Sequence, residues 1–322
     1  MATGPGKPVA ASGATAVPDD RTLHAAVSKH GARPRCCNAC TMTNTTALPS
    51  LFVSHGSPKI AIEPVQASTF LAQLGPALDA AFGRPRAIVA ISAHSLTREP
   101  VLLAAPKHDT VHDFGGFPDA LYRLRYDAPG GDAIAPRVAA LVREAGLPVH
   151  VQPEGGLDHG IWIPLRSSYP RADVPILPLA FPPDWSAAQL FALGRALAPL
   201  RSEGVLVFAS GSMTHNLRLV FGAGRPPLDA PEVPESAAFR NWFVERGAAA
   251  DWPALLDYRR QAPHAGLMHP TDEHLLPWYV AAGAGHEGPA RRVHASLTYG
   301  CLGMDAYAFG AQAQAFEAAL PH

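Results

Sequence analysis

Between Leu48 and Gly310 the chain alternates short apolar-rich runs with longer stretches in which apolar residues recur every three or four positions. The runs predict strands over 50–54, 87–93, 100–104, 148–152, 174–180, 205–209 and 292–299. Most are too uniformly apolar for a sheet with one wet face. The longer stretches predict helices over 65–82, 132–145, 186–200, 235–246 and 272–283, and Leu190, Leu193, Leu197 and Leu200 form a single stripe along the third. Strands and helices in alternation specify the α/β class, a sandwich built on a largely buried sheet. No gap has the composition of an interdomain linker, so one domain is expected. The Pro-rich stretch 222–234 reads as a surface loop near the active face.

Residues 1–46 break this pattern. Gly, Ala, Pro, Ser and Thr dominate and no apolar period is sustained, so the segment buries too little to offset its ordering entropy and reads as a disordered leader. Met42, just ahead of the first strand, is the expected natural start of translation, with 47–322 as the folded domain. Cys36, Cys37 and Cys40 supply half of a zinc knuckle without the second pair, and read as an exposed thiol cluster. Only Cys301 lies elsewhere, so disulfides do not hold the fold and a reducing, cytoplasmic setting fits. Lys and Arg number 26 against 27 Asp and Glu, a balance that offers no global field to nucleic acid. No apolar stretch is long enough to span a bilayer. A small molecule is the expected partner, and the chain is expected as a monomer or homodimer.

The candidate chemistry lies in the histidines, of which there are 15. His55, His94 and His215 each follow a strand run, and open α/β sheets bind ligands in the crevice beyond the carboxyl ends of their strands. Imidazoles gathered at one sheet edge point to a transition metal, which takes at least three protein ligands. Gly56 lets the chain turn sharply after His55. The run His269-Pro270-Thr271-Asp272-Glu273-His274 adds a further candidate: with Thr271 as N-cap, Glu273 and His274 fall in a first helical turn. His274 is the strongest third candidate, and Glu273 is its rival, because two histidines with one carboxylate form the facial triad of non-haem iron. Favourable pairing with the helix dipole accounts equally for Glu273. His159 follows Asp158, a carboxylate of the kind that orients an imidazole, although sequence neighbours often point apart. The loop Asp113-Phe114-Gly115-Gly116-Phe117-Pro118 suits a pocket wall or a tight connection. Phe114, Phe117, Tyr126 and Trp162 suit an aromatic pocket or core packing.

Six segments occur in order: Ser54-His55-Gly56-Ser57-Pro58, Ser92-Ala93-His94, the Asp113 loop, Asp158-His159-Gly160-Ile161-Trp162, His215-Asn216-Leu217 and Pro270-Thr271-Asp272-Glu273-His274. Together they resemble the class III extradiol ring-cleavage dioxygenases, in their DOPA 4,5-dioxygenase-like branch. The resemblance covers about Leu48 to Gly310 and gives the leader no counterpart. It implies a single-domain α/β sandwich, a central mixed β-sheet with helices on both faces. It also implies His55, His94 and His274 as metal ligands, His215 as a fourth metal-site residue or an acid/base, and His159 as a second catalytic histidine. More distant class III enzymes use a carboxylate as third ligand, which keeps Glu273 in view.

The implied reaction opens the ring of a DOPA-like catechol beside its two hydroxyls with both atoms of O2. A catechol can chelate a metal through both oxygens, and a nearby neutral histidine can take the proton. His215 is the chosen base, and His159 the later proton donor. Turnover calls for Fe(II), because Zn(II) has no redox chemistry, although an all-histidine set also suits Zn(II) in purified protein. Two rival readings share the scaffold: a zinc hydrolase using metal-bound water, and a Memo-like binding protein without catalysis.

Overall fold

The computed structural model describes residues 47–222, 224, 226–286 and 288–321, so the leader, Met42 and the Cys36, Cys37 and Cys40 cluster lie outside the described residues. The strands are β1 Ser50–Ser54, β2 Ala87–Ser92, β3 Val101–Leu103, β4 His150–Gln152, β5 Ile176–Ala180, β6 Val205–Gly211, β7 Arg291–His294, β8 Leu297–Thr298, β9 Leu302–Gly303 and β10 Ala306–Phe309. Eight of them form one sheet in the order β4-β3-β5-β2-β6-β1-β10-β7. The central strands β5, β2, β6 and β1 run parallel, whereas β3 is antiparallel to β5 and β10 to both β1 and β7. The sheet is mixed, as the resemblance implies. Among the described residues, no helix is long and apolar enough to cross a membrane.

Period-two alternation splits the core into two layers. Val89, Ile91, Val205 and Val207 enter one, with side chains from helices Ala135–Glu144, Ala187–Leu197, Pro234–Ala248 and Leu276–Ala284. Ile88, Ala90, Leu206 and Phe208 enter the other, with helices Gln66–Phe82, His159–Ser168 and Ala313–Ala319. Burial on both faces is why the strand runs carry no polar alternation. In the first layer two helices meet backbone to backbone. A Cβ on Gly194 would lie 2.1 Å from the Val280 carbonyl oxygen, and one on Gly283 would lie 2.0 Å from that of Phe191.

Three expectations change. The strand predicted over 292–299 divides into β7 and β8, and Tyr299 and Gly300 take left-handed φ values of 55° and 66° to turn the chain into β9. The helix predicted from 272 starts at Leu276, with Leu275 and not Thr271 at its cap. Pro277 sets that boundary: it has no N–H and its ring would clash inside a helix already running, but it fits the first turn. Helix His159–Ser168 is not foreseen at all. Nearly every residue in it is buried, so it lacks an amphipathic period, and Gly160 and Pro164 weigh against helix by propensity.

Arg240 ties the Pro-rich loop to the sheet. Its guanidinium donates to Asp305 at 2.7 and 3.0 Å and to Glu232 at 2.6 Å. Burial opposes the charge on Arg240, but the two carboxylates outweigh it and raise its pKa. The clamp seats the loop on the β8–β9 turn, where Tyr299 N–H donates to the Leu228 carbonyl and Val233 N–H to that of Gly300, both at 2.9 Å. Arg240→Leu leaves the fully buried Asp305 short of its main partner. It is expected to lower the unfolding free energy in urea by about 3–5 kcal/mol. A loss below about 1 kcal/mol, the range of exposed ion pairs, would refute the clamp.

Candidate metal centre

Three strand ends and one turn converge beyond the carboxyl edge of the sheet. β1 ends at Ser54 and delivers His55, after which Gly56 turns with φ 63° at a point where a side chain would strike Met304. His94 follows the end of β2 at Ser92, and His215 stands four residues past the end of β6. His274 comes from the turn ahead of helix Leu276–Ala284. That turn is pressed onto β6: a Cβ on Gly211 would lie 2.0 Å from the His274 carbonyl oxygen, which accepts the Ser212 N–H at 2.8 Å. Further bonds join the two segments. His215 N–H donates to the Met268 carbonyl (2.9 Å), the Asn216 side-chain amide to that of Leu267 (2.7 Å), and His269 Nε2–H to that of Met213 (2.9 Å).

All five histidines singled out from the sequence meet here. The Nε2 atoms of His55 and His94 are 3.1 Å apart, and donor atoms of His55, His94 and His274 all lie within 4.8 Å of one another. His215 stacks flat on His274, ring centres 3.5 Å apart and planes 8° from parallel. His159 lies with its ring centre 4.0 Å from that of His94.

Three of the rings are held from behind. His55 Nδ1 bonds Ser210 Oγ at 2.9 Å. His274 Nδ1–H donates to Glu273 at 2.9 Å, and Thr271 donates its hydroxyl to the same carboxylate at 3.1 Å. His159 Nδ1–H donates to Asp113 at 2.9 Å, and the other Asp113 oxygen accepts the His159 backbone N–H at 2.8 Å. A carboxylate can only accept, so Nδ1 of His274 and of His159 carries the hydrogen, and Nε2 is the atom each ring leaves for the site. The orienting partner of His159 is thus Asp113 and not its neighbour Asp158. Asp158 instead accepts from Ile161 N–H at 3.2 Å and from the hydroxyls of Ser92 and Ser95 at 2.6 and 2.5 Å. Sequence reasoning does not reach Ser210 or Asp113 in these roles, though each leaves a trace. Ser210 is a hydroxyl inside a buried apolar run, and Asp113 opens the aromatic-glycine loop.

Burial first, and then the neighbouring imidazoles, push His55 well below its usual range, His94 to about 3 and His215 to about 2. Burial acts to raise Glu273 and Asp113, but hydrogen bonds from His274 and His159 outweigh it, taking Glu273 to about 2 and Asp113 below its ordinary value. His55, His94 and His215 therefore offer neutral nitrogens, and the cluster is backed by anionic carboxylates. Two nitrogens bound about 2.1 Å from one ion lie about 3.0–3.4 Å apart for angles between octahedral and tetrahedral, a range that holds the 3.1 Å spacing of His55 and His94. These residues fit a divalent metal.

A cavity of about 260 Å³ opens over the histidines, walled by Phe114, Phe117, Leu217, Val220, Phe221, Tyr299 and Leu302. Trp162 and Tyr126 are not in its lining. Both are buried, donating to the carbonyls of Val111 and Tyr169 respectively.

Residues 44–310 match the catalytic LigB subunit of aromatic ring-opening dioxygenase. The chain is 39% identical over 248 residues to the 4,5-DOPA dioxygenase extradiol of Escherichia coli strain K12, covering 75% of this chain and 86% of that protein. To the protein of the same name in Beta vulgaris it is 36% identical over 263 residues, covering 81% and 96%. The crystal structure of an uncharacterized protein from Escherichia coli K12 shares the fold with a TM-score of 0.65 at 30% identity, covering 82% of this chain and 100% of that one. Fold and likeness together define an extradiol aromatic ring-opening dioxygenase. The chain belongs to the LigB family, and membership sets aside both the hydrolase and the non-catalytic binding readings.

Below the ordinary imidazole value of 6.5, unfolded histidines take up protons that the folded cluster refuses. The unfolded state binds more protons there, so metal-free protein is expected to lose stability as pH falls through about 6.5. The slope is up to about 1.4 kcal/mol per pH unit for each such group. Melting of chelator-treated protein between about pH 7.5 and pH 5 measures it. His215→Asn is expected to flatten the slope, and an unchanged slope would contradict the assignment.

Proposed function

We propose that this chain opens the ring of a catechol beside its hydroxyl pair, adding both atoms of O2, with a divalent metal held by His55, His94 and His274. The observation that carries the reading is the meeting of these three imidazoles beneath an aromatic-walled cavity in a chain of this family. Fe(II) held there would supply the redox chemistry that Zn(II) lacks, together with open positions for both catechol oxygens and O2. Residues 47–322 are the catalytic domain in this reading.

The chain's own groups orient the substrate and move protons. Phe114 and Phe117 flank the space above the histidines and limit its water. His215 is neutral and takes the proton of a catechol hydroxyl, and the negative charge left beside it favours the imidazolium so formed. His159, with Nδ1–H committed to Asp113, presents Nε2 to the cavity, takes the proton of the second catechol hydroxyl there and returns it as the ring opens. Asp113 stabilises the imidazolium that this role requires. Glu273 keeps the His274 lone pair turned away from itself, which supports His274 and not Glu273 as third donor.

Anaerobic loading with Fe(II), followed by catechol and air, is expected to give O2 uptake matching the catechol consumed. Zinc-loaded protein is expected to give none, and equal uptake with zinc would overturn the reading. His55→Ala, His94→Ala and His274→Ala should each weaken metal binding by more than about 100-fold, and Glu273→Gln by about 10–100-fold. His215→Asn and His159→Asn should keep their metal and lose about 10²–10⁴-fold in kcat. Metal loss from His215→Asn would make that residue a fourth ligand.

A further inference from the structure

We infer that the catechol suited to this cavity carries an uncharged, apolar substituent, held against the wall formed by Leu217, Phe221 and Phe117. This rests on the dioxygenase reading and departs from the compound in the relatives' names. An apolar cavity of about 150 Å³ suffices for a benzene ring, so one of about 260 Å³ has room for more than the ring. Apart from Ser57, Ser212 and the Tyr299 hydroxyl, what surrounds the extra room is hydrocarbon. Among the described residues that line it, none is Lys, Arg, Asp or Glu. The two carboxylates nearest the floor are committed to His159 and His274. Lys59 faces a separate small depression, 3.3 Å from Glu63.

The mouth continues the same chemistry outward. Helix Leu217–Phe221 lines the cavity with Leu217 and Phe221, which are nonetheless 44% and 63% exposed. Asn216 caps this helix by accepting the Arg218 N–H at 3.0 Å, and its amide anchors to Leu267. The apolar wall is thereby fixed to the segment that carries His215. A substituent leaving the ring toward the mouth would cover these two side chains. A carboxylate or ammonium placed against them gives up part of its water and meets no charged side chain among the described lining residues, which disfavours it. Each methylene laid on the wall instead improves binding by about four-fold.

Binding can be read without turnover. Fe(II)-loaded protein under argon is titrated calorimetrically with catechol, propylcatechol, dihydroxyphenylpropionate and L-DOPA. Propylcatechol is expected to bind at least about ten-fold tighter than catechol, and the two charged compounds no tighter than catechol. Tightest binding of dihydroxyphenylpropionate or L-DOPA overturns the inference. Leu217→Lys, at a position exposed enough to accept the change, should weaken propylcatechol and tighten dihydroxyphenylpropionate; an unaltered order would also overturn it. Admitting air tests the underlying reading separately. If none of the four consumes O2, the dioxygenase reading fails, while the order of binding still decides whether the wall selects apolar substituents.

Discussion

The end of strand β6 is the fixed point from which the site is measured. Its last residue, Gly211, has no side chain, and that absence lets the His274 carbonyl sit where a Cβ would be. The Gly211 carbonyl accepts the His55 N–H at 3.0 Å, and the Ser210 carbonyl accepts the Ala93 N–H at 3.1 Å. One strand end therefore registers the ends of β1 and β2 on either side of it and the turn above it. His215 inherits its place from the same strand four residues later. Backbone bonds of this kind are short and directional, so four histidines from distant parts of the chain are located by main-chain geometry before any side-chain torsion is chosen.

The side chains then divide into two kinds. Imidazoles form the inner group, and Asp113 and Glu273 stand outside as anions bonded to the rings of His159 and His274. Two negative charges nearby would balance a divalent cation without either carboxylate having to touch it. Neutral nitrogens on His55, His94 and His215 lower the cost of burying the cluster, because like charges are not assembled. Ser210 behind His55 adds a rear partner with no charge at all.

The convergence of the histidines is readable in the chain because strand-end position and residue type coincide at His55, His94 and His215. The partners behind the rings are not. Asp113 and His159 are 46 residues apart, and Ser210 and His55 are 155 apart, so no local spacing connects them. Elements failed where local pattern and tertiary burial part company. Helix His159–Ser168 is buried almost all round and shows no stripe. The start of helix Leu276–Ala284 turns on Pro277, whose permitted place is the first turn and not the interior. Strand β10, only four residues long, becomes a strand by lying between β1 and β7.

The close seating of helix Leu276–Ala284 on Ala187–Leu197 through Gly194 and Gly283 reaches further than packing. His274 rides on the turn that opens the first of these helices, so its address is written partly in two glycines that touch no imidazole. One methyl group added there must lift the helix and carry the turn with it. The placement of His274 can therefore drift among chains with identical histidines through a helix seam, where a comparison of cavity linings would find nothing changed.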